Sequence, residues 1–154
     1  MTKRHLFESL KTKLFCRVKP SNIEGVGVFA IKNIPKGTKL FETYFSNTDE
    51  GLYSEKWYCY TTGEIDELED GVKKLIYDYC ENTEGEIAIS SNMPRDIDGG
   101  CIYLLNHSCF PNVKFTYPEG LYYTTRDIDK GEELCFNYRK DFKKAREKIK
   151  DWTE

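Results

Sequence analysis

The sequence lacks the cysteine spacing of a small metal or redox site. Its six cysteines, at positions 16, 59, 80, 101, 109 and 135, include no Cys-x-x-Cys pair. A zinc ribbon and a thioredoxin-like site are therefore unsupported. Cys101, His107 and Cys109 offer three donor atoms but no recognised ligand spacing, so no metal site is predicted.

A long apolar stretch and an excess of basic charge are also missing. The longest apolar run, Cys101–Leu105, is far too short to span a bilayer, and the opening MTKRHLFESL has no apolar segment of a signal peptide. These absences predict a soluble, intracellular protein with reduced thiols and no membrane contact. The net charge of −3 provides no global basic field for direct nucleic-acid binding.

What is present fits one folded domain. The chain has 154 residues, 39% of them hydrophobic, which predicts a single domain over 1–154 with one substantial core. Its charges are unevenly distributed. Residues 64–70 contain five acidic side chains, and residues 139–150 contain seven basic and two acidic ones. Both blocks have the pattern of solvated helix faces, and the acidic one is also suited to attracting a basic peptide.

Short strands dominate the predicted secondary structure. β-branched and aromatic residues are concentrated in six segments, with residues 113–117 and 121–125 forming a hairpin around Gly120. The other four are 25–31, 38–45, 86–90 and 132–138. AIKNIPKGT (30–38) also resembles TTRDIDKGE (124–132), which suggests two similar hairpin units in one domain.

Two helices are predicted. Apolar residues recur at helical spacing from Ile65 to Tyr79, Thr61 and Glu64 have the spacing of a capping box, and Gly71 weakens the middle. A second helix covers 139–154, where Phe142, Ala145, Ile149 and Trp152 form one apolar stripe on a basic helix.

Three stretches have residues suited to binding or chemistry. In Gly25-Val26-Gly27, glycines two apart let a backbone approach a ligand closely, but taken alone the motif is better explained by a bulge or tight turn. YLLNHSCFPN (103–112) places polar residues directly after an apolar run that we predict to be a buried strand. Adjacent residues on an extended chain face opposite sides, so His107 and its neighbours do not predict a catalytic triad. GEELCFNY (131–138) predicts a half-buried strand.

Together, in this order, the three stretches resemble the SET-domain protein lysine methyltransferases. KPSNIEGVGVFAIKNIPKGTKLFE is similar to that family's N-terminal strand pair, YLLNHSCFPNV to its Asn-His-Ser-Cys-x-Pro-Asn signature, and RDIDKGEELCFNY to its C-terminal signature. The resemblance implies a mainly β fold with a few helices. This is the SET-domain (β-clip) fold of several small sheets, with a C-terminal pseudo-knot and a C-terminal helix. Its core would cover about 16–138, closed by the segment 139–154.

The resemblance also implies S-adenosyl-L-methionine as cofactor. It assigns Gly25, Val26 and Gly27 to the methionine part, Asn106 to a side-chain contact and His107 largely to backbone contacts with adenine. It matches Tyr138 to the catalytic tyrosine, which also contacts the cofactor. We expect this hydroxyl to hold the transferring methyl by weak C–H···O contacts rather than to act as a general base, because a tyrosine pKa is near about 10.

Phe136 falls where the family has Phe or Tyr in the substrate channel, and Phe implies room for di- or trimethylation. Tyr103 is a further channel candidate, with a packing role equally open. Asn137 replaces the family's usual Asp. No cysteine follows Cys135, so the zinc-binding tail of many relatives cannot form, and Phe142 or Trp152 is expected to cover the adenine.

The expected function is methyl transfer to a lysine of a basic protein, most plausibly a histone tail. The alternatives are a non-histone substrate, or a cofactor-binding module that holds a peptide without turnover. A nuclear location follows from a histone substrate, with a cytoplasmic one as the alternative. A homodimer is possible for so small a chain.

Overall fold

The computed structural model describes residues 1–42, 56–80, 82–116 and 120–141. The helices are α1 (Lys3–Lys13), α2 (Thr62–Asp66), α3 (Asp70–Tyr79), α4 (Met93–Ile102) and α5 (Tyr138–Asp141). The strands are β1 (Cys16–Pro20), β2 (Val26–Ala30), β3 (Lys39–Glu42), β4 (Trp57–Thr61), β5 (Asn82–Thr83), β6 (Glu86–Ser90), β7 (Asn106–His107), β8 (Val113–Thr116), β9 (Leu121–Thr124) and β10 (Glu133–Phe136). The predicted mainly β architecture of small sheets is confirmed.

One sheet brings all three sequence motifs together. Its strand order is β1-β2-β10-β7. β1 and β10 both pair antiparallel with β2, and β7 pairs parallel with β10. The glycine motif therefore enters β2, the second motif supplies β7, and the third supplies β10. Residues separated by about a hundred positions in the chain become adjacent because β10 lies between the other two.

A second sheet, of order β3-β9-β8, packs with the first around a shared apolar core. The predicted hairpin between β8 and β9 is confirmed, and Gly120 has a φ of 67°, which favours glycine. We call the buried apolar cluster between these sheets the sheet core: Cys16, Val28, Ala30, Ile34, Leu40, Phe41, Cys101, Leu105, Val113, Phe115, Tyr122, Ile128, Leu134 and Phe136.

The third sheet, of order β4-β6-β5, packs with helices on a separate apolar cluster. Leu6, Leu10 and Leu14 of the α1 region lie in it at intervals of four, as expected for one face of a helix. We call this cluster the helix core: Leu6, Leu10, Leu14, Ile31, Tyr60, Ile65, Leu68, Val72, Leu75, Ile76, Ile87 and Ile89.

The two similar segments, 30–38 and 124–132, pack against each other about a local pseudo-twofold axis. Ile34 and Ile128 exchange both backbone hydrogen bonds, at 2.8 and 2.9 Å. The flanking bonds form two further matched pairs. In the first, the Lys36 amide donates to Asp127 Oδ1 and the Lys130 amide donates to Asn33 Oδ1. In the second, the Gly37 amide donates to the Thr124 carbonyl and the Gly131 amide donates to the Ala30 carbonyl. The repeat therefore joins the two ends of the domain.

The predicted continuous helix from Ile65 to Tyr79 is wrong in its extent. The structure has two helices, α2 and α3, separated by residues 67–69. The spacing persists across the break because Ile65, Leu68 and Val72 all face the helix core. The predicted capping box of Thr61 and Glu64 is confirmed.

Gly71 has a packing role that the sequence did not indicate. A Cβ on this residue would lie 1.9 Å from the Ile31 carbonyl oxygen, a distance that no real contact allows. The glycine therefore permits the first turn of α3 to approach the chain leaving β2.

The prediction that Cys101–Leu105 forms a buried strand is also wrong. Cys101 and Ile102 end α4, whose first turn contains Pro94, and Tyr103 is 89% exposed. α1 was not predicted either, although Thr2 caps it and its leucines have helical spacing. Within the described ranges, no helix is long and apolar enough to cross a membrane. Most of the predicted helix over 139–154, including Phe142 and Trp152, lies outside the described residues.

Candidate active site

Asn106 joins the glycine motif to β10 through one side-chain amide. Its Nδ2 donates to the Val26 carbonyl at 3.0 Å, to the Glu24 carbonyl at 3.3 Å and to Glu133 Oε1 at 2.8 Å. Three acceptors around one nitrogen fix which way the amide faces. Among the described residues, none donates to Asn106 Oδ1, so this oxygen can accept from a ligand.

Gly27 is where β2 passes closest to this amide. A Cβ added there would lie 2.1 Å from Glu133 Oε1 and 3.1 Å from Asn106 Nδ2. Gly25 has a φ of +49° at the turn into β2, a conformation that favours glycine. Glycine is therefore required at the two positions for different reasons. Gly25 allows the backbone conformation of the turn, and Gly27 leaves room for the Asn106–Glu133 pair. Val26 between them is partly exposed.

Sequence reasoning missed Glu133 and Ser21 in this network. Glu133 accepts from Asn106 and, through both carboxylate oxygens, from Ser21 Oγ at 2.8 and 2.9 Å. Ser21 Oγ in turn accepts from the Ile23 amide at 2.9 Å. In the sequence, Glu133 is one of two adjacent glutamates in GEEL (131–134), and nothing local distinguishes it. No sequence signal pairs Glu133 with Ser21, because 112 positions separate them.

His107 and Tyr138 lie side by side at the end of β10. The backbone amide of Tyr138 donates to His107 Nδ1 at 3.2 Å, and the two rings have centroids 5.3 Å apart. Because Nδ1 accepts, the neutral imidazole carries its proton on Nε2. His107 Nε2 lies 3.9 Å from Cys109 Sγ. Of the described residues, no group of three His, Cys, Asp or Glu side chains is placed to hold a metal ion.

The Tyr138 hydroxyl donates to the Leu105 carbonyl, directly before Asn106. Burial raises the pKa of Tyr138, with smaller contributions from Cys135 and the Glu24 carboxylate. The phenol is therefore protonated at neutral pH. Tyr138 as a whole is exposed to solvent, although its hydroxyl is hydrogen-bonded.

Phe136 is buried at the centre of an aromatic cluster. Its ring centroid lies 4.7 Å from that of Tyr138 and 5.7 Å from that of Tyr122, which also packs on Phe115. The Tyr138 phenol therefore has apolar rings on its inner side. Desolvation by such rings disfavours charged groups.

Asn112, the last residue of the second motif, is buried and clamps β10. Its Nδ2 donates to the Glu133 carbonyl at 2.8 Å, its Oδ1 accepts from the Cys135 amide at 2.8 Å, and its own amide donates to the Cys135 carbonyl. The Ser108 amide donates to the Phe136 carbonyl. The two amides of the motif thus have separate tasks: Asn112 satisfies the β10 backbone, and Asn106 orders the glycine turn.

The remaining sequence candidates have different surroundings. Tyr103 and Phe110 are almost fully exposed, so a packing role for Tyr103 has no support in the described part of the chain. Asn137 Oδ1 accepts from the Lys140 amide at 2.9 Å and caps α5. In the acidic block, Glu64 is paired with Lys3 at 2.8 Å and also serves the capping box, consistent with a solvated helix face.

A cavity of about 700 Å³ lies apart from this cluster. It is lined mainly by β1, β6, α3 and α4, with Arg17 and Trp57 among its polar and aromatic residues. Gly27, Asn106 and Tyr138 do not line it. The residues of the three motifs meet instead where β2, β10 and β7 adjoin, and this region is the candidate site.

The chain matches a known protein family over most of its length. The SET domain family model matches residues 25–139. The chain is 28% identical over 142 residues, 84% of its length, to human histone-lysine N-methyltransferase 2D, and equally to the mouse protein. It is also 28% identical over 127 residues to an H3 lysine-36 specific histone-lysine N-methyltransferase of Debaryomyces hansenii, with 79% of this chain covered.

The chain corresponds to a small part of its curated relatives. The chain spans only 2% of the human protein and 16% of the Debaryomyces protein. A solved structure of a candidate histone methyltransferase from Plasmodium falciparum is 16% identical, with a TM-score of 0.34 over 80% of this chain and 92% of that one. The family match covers most of the present sequence, from the glycine turn through the residue after Tyr138. The chain belongs to the SET-domain family.

Proposed function

We propose that this protein transfers a methyl group from S-adenosyl-L-methionine to the side-chain amine of a protein lysine. The observation that carries the proposal is the convergence of Gly27, Asn106 and Tyr138, from three distant parts of the chain, on one edge of one sheet. The Asn106 side chain joins β7 to β10 by its hydrogen bond to Glu133, and the His107 side chain accepts a hydrogen bond from the Tyr138 amide. Such convergence is the geometric requirement for a reaction that depends on positioning.

The residues present fit this cofactor. Asn106 Oδ1 is an acceptor for an ammonium group, and the Glu133 carboxylate next to it adds negative charge. Val26 and Tyr138 offer partly exposed apolar surface beside these polar atoms. Asn106 and the Gly25–Gly27 backbone would hold the methionine part, and His107 the adenine end. When bound, S-adenosylmethionine supplies a sulfonium-borne methyl that a neutral amine can take.

The aromatic cluster provides the conditions that the amine requires. A free lysine has a pKa of about 10.4 and is protonated at neutral pH. Tyr138, with the buried Phe136 behind it, gives the target lysine an apolar surrounding that disfavours its ammonium. The amine would lose its proton to solvent, which frees its lone pair for attack. The Tyr138 hydroxyl and the Leu105 carbonyl are the oxygens available for C–H···O contacts with the methyl group. Tyr138 orients and polarises; its pKa is raised, so it does not remove the proton.

We further propose a basic protein segment as substrate, with a histone tail first. The support is that the human and Debaryomyces relatives are histone-lysine methyltransferases. A nuclear location and the use of Tyr103 at the channel entrance belong to the same proposal, as does a possible homodimer. A cofactor-binding module without turnover is the alternative, and it predicts binding without transfer.

A transfer assay separates these possibilities. Wild-type protein and labelled cofactor are incubated with histones and with a cell extract, and labelled lysine is mapped by mass spectrometry. Tyr138→Phe should lower the rate by about 100-fold, in the range found for loss of one transition-state donor. Tyr77→Phe is the control, since Tyr77 bonds only weakly to Asp66 on the surface. Cofactor binding without any labelled protein would establish the module instead.

The same assay tests the degree of methylation. Phe136 has no hydroxyl to hold a water in the channel, so the wild-type product should include di- or trimethyllysine. Phe136→Tyr should shift the product towards monomethyllysine, because the added hydroxyl and its water occupy space needed by further methyl groups. A strictly monomethylated wild-type product would contradict this assignment.

A further inference from the structure

We propose that Glu133 is a positioning residue for the cofactor, acting through Asn106, and that Ser21 holds it in place. The inference rests on the proposed function, because it concerns the same site. It adds a role for two residues to which the sequence motifs assign none. Neither residue needs to touch the reacting atoms for this role.

The geometry around Asn106 is the first step. An asparagine side chain can present either oxygen or nitrogen to a ligand, and the two faces have nearly the same shape. Here Nδ2 has the Glu24 carbonyl, the Val26 carbonyl and Glu133 Oε1 as acceptors, the last being the shortest at 2.8 Å. Reversing the amide would turn its oxygen towards three oxygens, so this arrangement directs Oδ1 outward as an acceptor.

The charge on Glu133 makes its bond the strongest of the three. A hydrogen bond to a carboxylate is about twice as strong as one to a neutral carbonyl. An outward-facing oxygen suits the cofactor's ammonium and repels its carboxylate. Glu133 therefore determines which end of an amino-acid group the site accepts.

Ser21 completes the chain of contacts. Its hydroxyl donates to both Glu133 oxygens and accepts from the Ile23 amide in the turn before Gly25. Gly27 provides the space that Glu133 occupies, since a Cβ there would overlap Oε1. The carboxylate is thus fixed on three sides: by Ser21, by Asn106 and by the backbone of Gly27.

Titration calorimetry with S-adenosylmethionine and with S-adenosylhomocysteine provides a readout independent of turnover. Glu133→Ala should weaken binding of both by about tenfold, equally, because both carry the same ammonium and the lost bond to a charged group is worth about 1.4 kcal/mol or more. Glu133→Gln keeps an acceptor and should weaken binding by about threefold or less. Ser21→Ala should weaken it by about two- to threefold. In steady-state kinetics the KM for cofactor should rise while the KM for peptide stays constant.

Glu132→Gln is the matched control. Glu132 is the neighbouring carboxylate, but it pairs with Arg126 at 2.7 Å on the surface. This substitution should leave cofactor affinity unchanged. If Glu133→Ala fails to fold, the affinities of Ser21→Ala and Glu133→Gln for the cofactor still test the inference. Both substitutions leave the strand backbone and most of the side-chain volume intact.

A double-mutant cycle separates positioning from a direct charge effect. If Glu133 acts through Asn106, adding Glu133→Ala to Asn106→Ala should cost less than twofold in affinity. An undiminished tenfold loss in that background would overturn the positioning role. Unchanged binding by Glu133→Ala alone would overturn the inference but leave the proposed function standing. A wild-type protein that does not bind S-adenosylmethionine would overturn both.

Discussion

The sheet core and the helix core are held together differently. Around the sheet core, buried Asn112 and Thr124 bond to backbone groups that the strand ladders leave unpaired. The helix core consists of apolar side chains at helical or alternating spacing, and its Tyr60 hydroxyl bonds to the Lys3 carbonyl. The comparison indicates that polar contacts specify the backbone path near the site, whereas apolar burial supplies stability away from it.

The largest expected effect on stability is in the helix core. Gly71→Ala would place a Cβ 1.9 Å from the Ile31 carbonyl oxygen, and backbone cannot move aside cheaply. We expect a loss of about 3 kcal/mol in the free energy of unfolding, at the upper end of overpacking effects. Chemical denaturation measures it. Gly63→Ala is the control, since its Cβ would meet nothing closer than 3.9 Å, and it should be neutral or slightly stabilising.

Asn112→Ala tests the polar side of the comparison. The substitution leaves the Cys135 amide and the Glu133 carbonyl without their partners in a buried strand. A loss of about 2 kcal/mol is expected, because unsatisfied buried groups keep their desolvation cost. Thermal unfolding would show it as a lower Tm. A Tm equal to that of the wild-type protein would mean that apolar packing alone holds β10 in position.

Gly27→Ala is the counterpart of Gly71→Ala at the site. The nearest atom to its Cβ is the end of the flexible Glu133 side chain, which can move. We therefore expect stability to fall by only about 1 kcal/mol, but S-adenosylmethionine affinity to fall by about tenfold as Glu133 leaves Asn106. Gly100→Ala, with nothing within 4 Å, is the control. If Gly27→Ala lowered the free energy of unfolding as much as Gly71→Ala does and left cofactor affinity unchanged, the proposed difference between the region of the site and the helix core would be wrong.

The smallest effect concerns alkaline stability. Burial raises the pKa of Tyr60 to about 12, whereas an unfolded tyrosine titrates near about 10. Between these values the unfolded chain has lost a proton that the folded chain keeps, so the free energy of unfolding falls as pH rises.

Tyr60→Phe should cost about 1 kcal/mol at pH 8, for the lost bond to Lys3, and should make the alkaline decline shallower. Denaturation at several pH values up to 11 measures both. Some decline should persist, because the pKa of Cys135 is raised to about 11. An identical slope in the variant would contradict the assignment to Tyr60.

The sequence predicted the parts of the fold that depend on local pattern. Gly120 marked the β8–β9 hairpin, and Thr61 with Glu64 marked the start of α2. The resemblance of three motifs predicted the family and the convergence of Gly27 with Asn106. The segment after Cys101 was misread because a short apolar run has no period that distinguishes a strand from a helix end.

Other features depend on contacts between distant residues, which no local pattern contains. Gly71 was read as a weakness of a helix, but it is required by the Ile31 carbonyl of another element. Glu133 and Asn106 are 27 positions apart, and only the placement of β10 between β2 and β7 makes them neighbours. The roles of such residues follow from the assembled sheet.

The pseudo-twofold pairing of segments 30–38 and 124–132 has a consequence for synthesis of the protein. The bond from Lys130 to Asn33 closes a loop of 97 positions, at an entropic cost of about 4 kcal/mol. During translation, β2 and the glycine turn emerge early but wait for β10, which joins them to Asn106. The contacts around Asn106 cannot form in a nascent chain until nearly all of the family-matched region has left the ribosome.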